Sequence, residues 1–110
     1  MSNTELLSVA SQGSPGVEGT PVNMNGSEVS IDIQASSFGG DGKVVLKARA
    51  NYGAANAFKT LEDVNTISGL AEYSSNTAGV RVSLPAGWQI RADLVITSGT
   101  ATLVSVYMGE

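Results

Sequence analysis

Residues 80–108 read VRVSLPAGWQIRADLVITSGTATLVSVYM, and this stretch decides the fold. Val80, Val82 and Leu84 alternate with Arg81 and Ser83 before Pro85-Ala86-Gly87 interrupts. Trp88, Ile90, Ala92, Leu94 and Ile96 then alternate with mostly polar neighbours, and Ser98-Gly99-Thr100 leads into Val104, Val106 and Met108. A period of two punctuated by turn residues predicts antiparallel strands, each with one apolar face.

Local geometry suggests a register. In Leu84-Pro85-Ala86-Gly87 the proline and glycine suit a type I turn with Gly87 left-handed, a three-residue hairpin loop. That loop pairs Leu84 with Trp88 and Val82 with Ile90, keeping the apolar side chains on one face. It also sets Arg81 opposite Arg91, an unfavourable like-charge pair that Asp93, diagonal to Arg81, would offset. Continued through Ser98-Gly99-Thr100, the same meander brings Leu94 near Val104 and Ala92 near Val106. On the outer face it lays Val95 beside Leu103 and Arg91 beside Tyr107. Trp88 falls in the inward series, which makes it a core residue rather than a stacking platform.

Upstream, Val29, Ile31, Ile33 and Ala35 alternate with Glu28, Ser30, Asp32 and Gln34, and Phe38-Gly39-Gly40-Asp41-Gly42 reads as a turn. Val44, Leu46, Ala48 and Ala50 alternate with Lys43, Val45, Lys47 and Arg49. A hairpin here places Asp32 opposite Lys47 or Arg49, depending on the loop, and the Lys/Arg strip is expected to be a solvated face rather than an anion site. Between residues 51 and 79, Tyr52 to Ala57 forms a small-residue loop and Phe58 to Leu61 a short strand. Leu61, Val64 and Ile67 have helical spacing, cut short by Thr66, Ser68 and Gly69. Ser74-Ser75-Asn76-Thr77 is a loop tip.

Residues 1–27 differ from the rest. Ser, Gly, Asn and Pro dominate, with Leu6, Leu7, Val9, Val17 and Val22 as the apolar minority. Thr4 could cap one helical turn through Leu7. The segment reads either as a disordered leader or as an extended arm held by neighbouring subunits, and the arm is the expectation, ahead of a β-sandwich domain spanning 28–110. The fold expected is all-β: an antiparallel β-sandwich or jelly-roll-like domain of about seven or eight strands with that arm.

Composition narrows function. The chain has 110 residues, a net charge of -4, and neither Cys nor His. One domain fits that length. An acidic balance with scattered cations argues against nucleic acid as a partner. Without cysteine there is no disulfide or thiolate metal site, and without histidine the commonest general base and metal ligand are missing. The first residues do not read as the basic start and apolar core of a secretory leader, and no apolar run approaches membrane-spanning length, so no membrane partner is expected. Glu62 and Asp63 are adjacent and would point to opposite faces of a strand, unfit to act as an acid/base pair. Asp41-Gly42-Lys43 lacks the acidic ligands of a calcium loop, and the glycines match no phosphate-binding motif. The chain is therefore expected not to be an enzyme and to need no cofactor. The candidate partner-binding residues are Arg81 and Arg91, either two solvated side chains or a clamp on carboxylates, and the Val95, Leu103 and Tyr107 patch, either covered by another part of the same chain or a subunit interface.

Three quoted runs carry a resemblance: Phe38-Gly39-Gly40 before a strand, Val80 through Ala92 with its Leu84-Pro85-Ala86-Gly87, and Ser98-Gly99-Thr100-Ala101 before a strand ending in Val106-Tyr107. Together they resemble small all-β virion proteins of tailed bacteriophages, over roughly residues 28 to 108. The middle departs, since Asn56-Ala57-Phe58-Lys59-Thr60-Leu61 replaces the family's Gly-Thr-Trp segment. The resemblance implies a non-enzymatic structural component located in the virion, most simply a capsid decoration or cement protein. Its implied partners are the major capsid protein, neighbouring virion proteins, and copies of itself in a homo-oligomer such as a trimer. The alternative is a carbohydrate- or receptor-binding module of a tail fibre, with Trp88, Tyr52 or Tyr73 stacking on sugar.

Overall fold

A computed structural model describes residues 3–50, 58–60 and 71–109. The strands are β1 (Asn3–Gly13), β2 (Gly16–Glu18), β3 (Val22–Asn23), β4 (Val29–Gln34), β5 (Lys43–Ala50), β6 (Lys59–Thr60), β7 (Glu72–Tyr73), β8 (Thr77–Val82), β9 (Trp88–Val95) and β10 (Thr100–Gly109). Sheet A has the order β1-β10-β4-β8; sheet B has β2-β9-β5-β6, with β3 also on β9 and β7 also on β5. Every pairing is antiparallel. The first strand pairs with the last, and pairing proceeds inward: β2 and β3 with β9, β4 with β8, β5 with β6 and β7. That is the strand order of a jelly roll.

The period of two explains each strand. β4 buries Val29, Ile31 and Ile33 and exposes Ser30, Asp32 and Gln34. β9 turns Ile90, Ala92 and Leu94 inward, and β5 does the same with Val44 and Leu46. With Val104, Val106 and Met108 of β10 they fill one core between the sheets. Full burial of each large side chain contributes about 1.5–3 kcal/mol.

Three expected hairpins are absent, and one reason covers all of them. β4 and β5, β8 and β9, and β9 and β10 are each split between sheets A and B. Residues 35–42, 83–87 and 96–99 therefore cross the edge of the sandwich instead of turning within a sheet. A strand with one apolar face satisfies either arrangement, because both present that face to the same core. Leu84 thus does not pair with Trp88, nor Ala92 with Val106; Val82 faces Val29, and Val106 lies between Leu7 and Ile33. Asp32 faces Tyr107 rather than a cation. At the 83–87 crossing the Trp88 amide donates to Pro85 O at 3.2 Å, and Gly87 has φ 89°. Gly87 is left-handed as expected, in a turn that opens at Pro85 rather than Leu84.

The boundary drawn at 27/28 is not a boundary in this structure. Residues of the expected arm form β1, β2 and β3, and Leu6, Leu7 and Met24 are buried in the core. No helical turn forms at Thr4, which lies in β1 opposite Met108. β1 satisfies its inner edge on β10, and at the corner Thr20 N donates to Leu6 O while Gly19 N donates to Ala92 O. The expected short strand near Phe58 is present as β6. Tyr52, Glu62, Asp63 and the Leu61/Val64/Ile67 spacing lie outside the described residues.

Candidate partner-binding surface

Sheet A presents the candidate surface, and its central strand shapes it. In β10, Ala101 and Val104 both point into the core, leaving two residues between them instead of one. The phase flips at Leu103, whose φ of 50° is the one positive value at a non-glycine among the described residues. A left-handed L-residue costs about 1–2 kcal/mol. Leu103 is consequently 62% exposed, and Tyr107, back in outward phase, is 42% exposed. Beside Leu103 lies a shallow hollow of about 260 Å³ lined by Ser8, Val9, Ala10, Leu103, Val104 and Ser105.

Register sets the neighbours of Tyr107. A bulge in β1 buries both Leu6 and Leu7 and leaves Glu5 opposite Tyr107. On the other side Asp32 of β4 is opposite Tyr107. One row across three strands therefore reads Glu5–Tyr107–Asp32. Asp32 Oδ1 accepts the Gly79 amide at 2.8 Å. At the margin, Arg81 Nη1 donates to Glu28 Oε1 at 2.6 Å, an exposed pair of small energetic weight.

The expected Arg81/Arg91 pair does not exist. Arg81 is in sheet A opposite Ser30, whereas Arg91 is in sheet B opposite Lys47. Arg91 is occupied: its Nε and Nη2 donate to Asp93 at 2.7 and 2.8 Å, and Glu18 is 3.3 Å away. Its guanidinium also lies 4.2 Å from the Phe58 ring centroid, with Arg49 over the same ring at 4.4 Å. Asp93, only 3% exposed, additionally meets Lys47 at 3.3 Å and accepts the Gly19 amide. Asp93 thus offsets Arg91 and Lys47, not Arg81. The Lys/Arg strip of β5 is likewise half-buried and paired, with Lys43 on Glu72 at 2.7 Å and Arg49 on Gln89 at 2.9 Å.

Val95, Leu103 and Tyr107 are not one patch either. Val95 is half-buried in sheet B between Gly16 and Lys43, while Leu103 and Tyr107 share the outer face of sheet A. Trp88 keeps inward parity but opens its strand, and it is half-buried at the end of the sandwich rather than part of the core cluster. Tyr73 is 7% exposed and packed in the core, which removes it as a sugar platform. Glu5 and Asp32 were missed as site residues because only the β1-β10-β4 register brings them to Tyr107.

Among the described residues no group of three or more His, Cys, Asp or Glu could hold a metal ion. Asp41 is a structural acceptor. It takes the Thr97 and Ser98 amides at 2.9 and 3.0 Å and the Thr97 hydroxyl, which lowers its pKa from 3.8 to about 2. No family model, curated protein or solved structure matches the chain.

Proposed function

We propose that the chain is a non-enzymatic structural protein of a virion, a capsid decoration or cement protein that lies on the major capsid protein or neighbouring virion proteins and stabilises the particle. The observation that carries this reading is Leu103: a large apolar side chain held out of the core, at a backbone cost, on the central strand of an exposed face. Docking would bury Leu103 and Tyr107 together and recover the apolar area that the arrangement leaves exposed. The resemblance over residues 28 to 108 supplies the kind of partner. The jelly roll is compatible with a capsid layer but also with lectins, so the fold alone does not choose.

The test is biochemical. The protein should be found by mass spectrometry in purified particles, and the purified chain, added to particles lacking it, should co-sediment with them and raise their resistance to heat. Its absence from particles, together with no co-sedimentation, would remove the reading. A second reading, a glycan-binding tail-fibre module, is favoured by the exposed Tyr107 beside a carboxylate, a pairing that suits sugar stacking. Hits on a glycan array that vanish in Tyr107→Ala would select it.

A further inference from the structure

We propose that the Leu103–Tyr107 strip docks a basic protein segment, one that presents an arginine or lysine and an apolar side chain on the same face, about four residues apart when extended, as Leu103 and Tyr107 are on their own strand. The cation would lie over the Tyr107 ring between Glu5 and Asp32, with the apolar group against Leu103. This deepens the docking role given to the face above and rests on it.

Directly opposed residues on neighbouring antiparallel strands have Cβ atoms roughly 5 Å apart, so Glu5 and Asp32 stand on either side of Tyr107 in one row, within side-chain reach of a group bound over it. No hydrogen bond or ion pair engages Glu5 among the described residues, and Asp32 is engaged there through Oδ1 alone, by the Gly79 amide. An exposed aromatic ring between two carboxylates attracts a cation through the ring face and through charge-assisted hydrogen bonds at once.

Charge selects the occupant. The outer face of sheet A carries Glu5, Glu28 and Asp32 against Arg81, and Arg81 is taken by Glu28. The other cations, Lys43, Lys47, Arg49, Lys59 and Arg91, are all on strands of sheet B. A second copy stacked face to face would set Glu5 and Asp32 against carboxylates of the same kind, a repulsive arrangement. A partner bringing its own cation has no such conflict. The hollow beside Leu103 offers room for the apolar side chain that accompanies that cation farther along the segment.

The experiment uses the full chain, isotopically labelled for two-dimensional NMR. It is titrated with three six-residue peptides that carry, at positions 1 and 5 of an otherwise neutral polar sequence, leucine and arginine, leucine and glutamate, or serine and arginine, so that both groups lie on one face. Only the leucine–arginine peptide should shift Glu5, Asp32, Leu103 and Tyr107 strongly, and added salt should weaken it. Glu5→Gln combined with Asp32→Asn should raise its Kd about tenfold. Both changes are isosteric, and the carboxamide introduced by Asp32→Asn keeps an oxygen for the Gly79 amide; an unchanged spectrum elsewhere establishes the fold. Tyr107→Ala should raise the Kd too. Shifts confined to other residues, an equal response to the leucine–glutamate peptide, or a glycan that perturbs these residues while the peptides do not would each overturn the proposal. Because free protein is used, such a failure removes the partner chemistry alone, while absence of the chain from particles together with no co-sedimentation removes the virion reading.

Discussion

Leu103, Asp93 and Asp41 show what single residues contribute. Leu103→Asn puts a residue that tolerates left-handed backbone at φ 50°, and should stabilise the fold by about 0.5–1 kcal/mol in urea denaturation while weakening particle binding. A loss of stability would mean the flip is not strained. Asp93→Ala leaves Arg91 and Lys47, with side chains 14% and 28% exposed, short of their shared counter-charge. Arg91 keeps Glu18 and Phe58, so the expected cost is about 2–3 kcal/mol, below that of a fully buried broken pair. Asp41 gives a pH dependence with a definite sign. Its folded pKa of about 2 lies below 3.8, so its stabilisation is complete above pH 3.8 and disappears as pH falls through 2. Urea midpoints of wild type and Asp41→Asn should therefore differ at neutral pH and converge across that window. The sequence marked Asp41 as a turn residue, but its acceptor role depends on Thr97 and Ser98 from another crossing loop, which no local pattern reveals.

At the level of elements, alternation was readable and partners were not. The apolar faces of β4, β5, β9 and β10 follow directly from Val29-Ile31-Ile33, Val44-Leu46-Ala48, Ile90-Ala92-Leu94 and Val104-Val106-Met108. Which strands sit side by side depends on whether a loop turns or crosses, and period two is blind to that choice. One clue was present: Ile96 continues the inward series of β9 into the loop and is fully buried, where the turn of a surface hairpin would be solvated. β1 escaped notice because an edge strand with one wet face needs few apolar residues; Leu6, Leu7 and Val9 suffice. The corner that ties it in depends on Gly19, where an added Cβ would run into the carbonyl oxygens of Ala92 and Leu6. Gly19→Ala should cost about 3 kcal/mol in thermal or urea unfolding, with signs of separation between β1 and β9 in hydrogen exchange. A neutral effect would contradict the closed corner.

For the whole molecule, the N-terminal segment is part of the fold. Deleting residues 1–27 removes the buried Leu6, Leu7 and Met24 and the partner of β10. Those three side chains alone represent roughly 5–9 kcal/mol, comparable with the entire stability of a small domain. The truncated chain should show no cooperative unfolding transition by circular dichroism, and a folded truncation would contradict the jelly-roll connectivity. The all-β class was legible from alternation, but pairing of the first strand with the last is a long-range property. The contact face, in turn, needed that pairing, since Glu5 joins Tyr107 only through it. If the proposed role holds, the outer face of sheet A docks on the particle. Hydroxyl-radical footprinting of the chain, free and particle-bound, measures this directly. Oxidation of Leu103 and Tyr107 should fall strongly on binding while that of Trp88 in sheet B stays the same; equal oxidation of Leu103 and Tyr107 in both states would contradict the account.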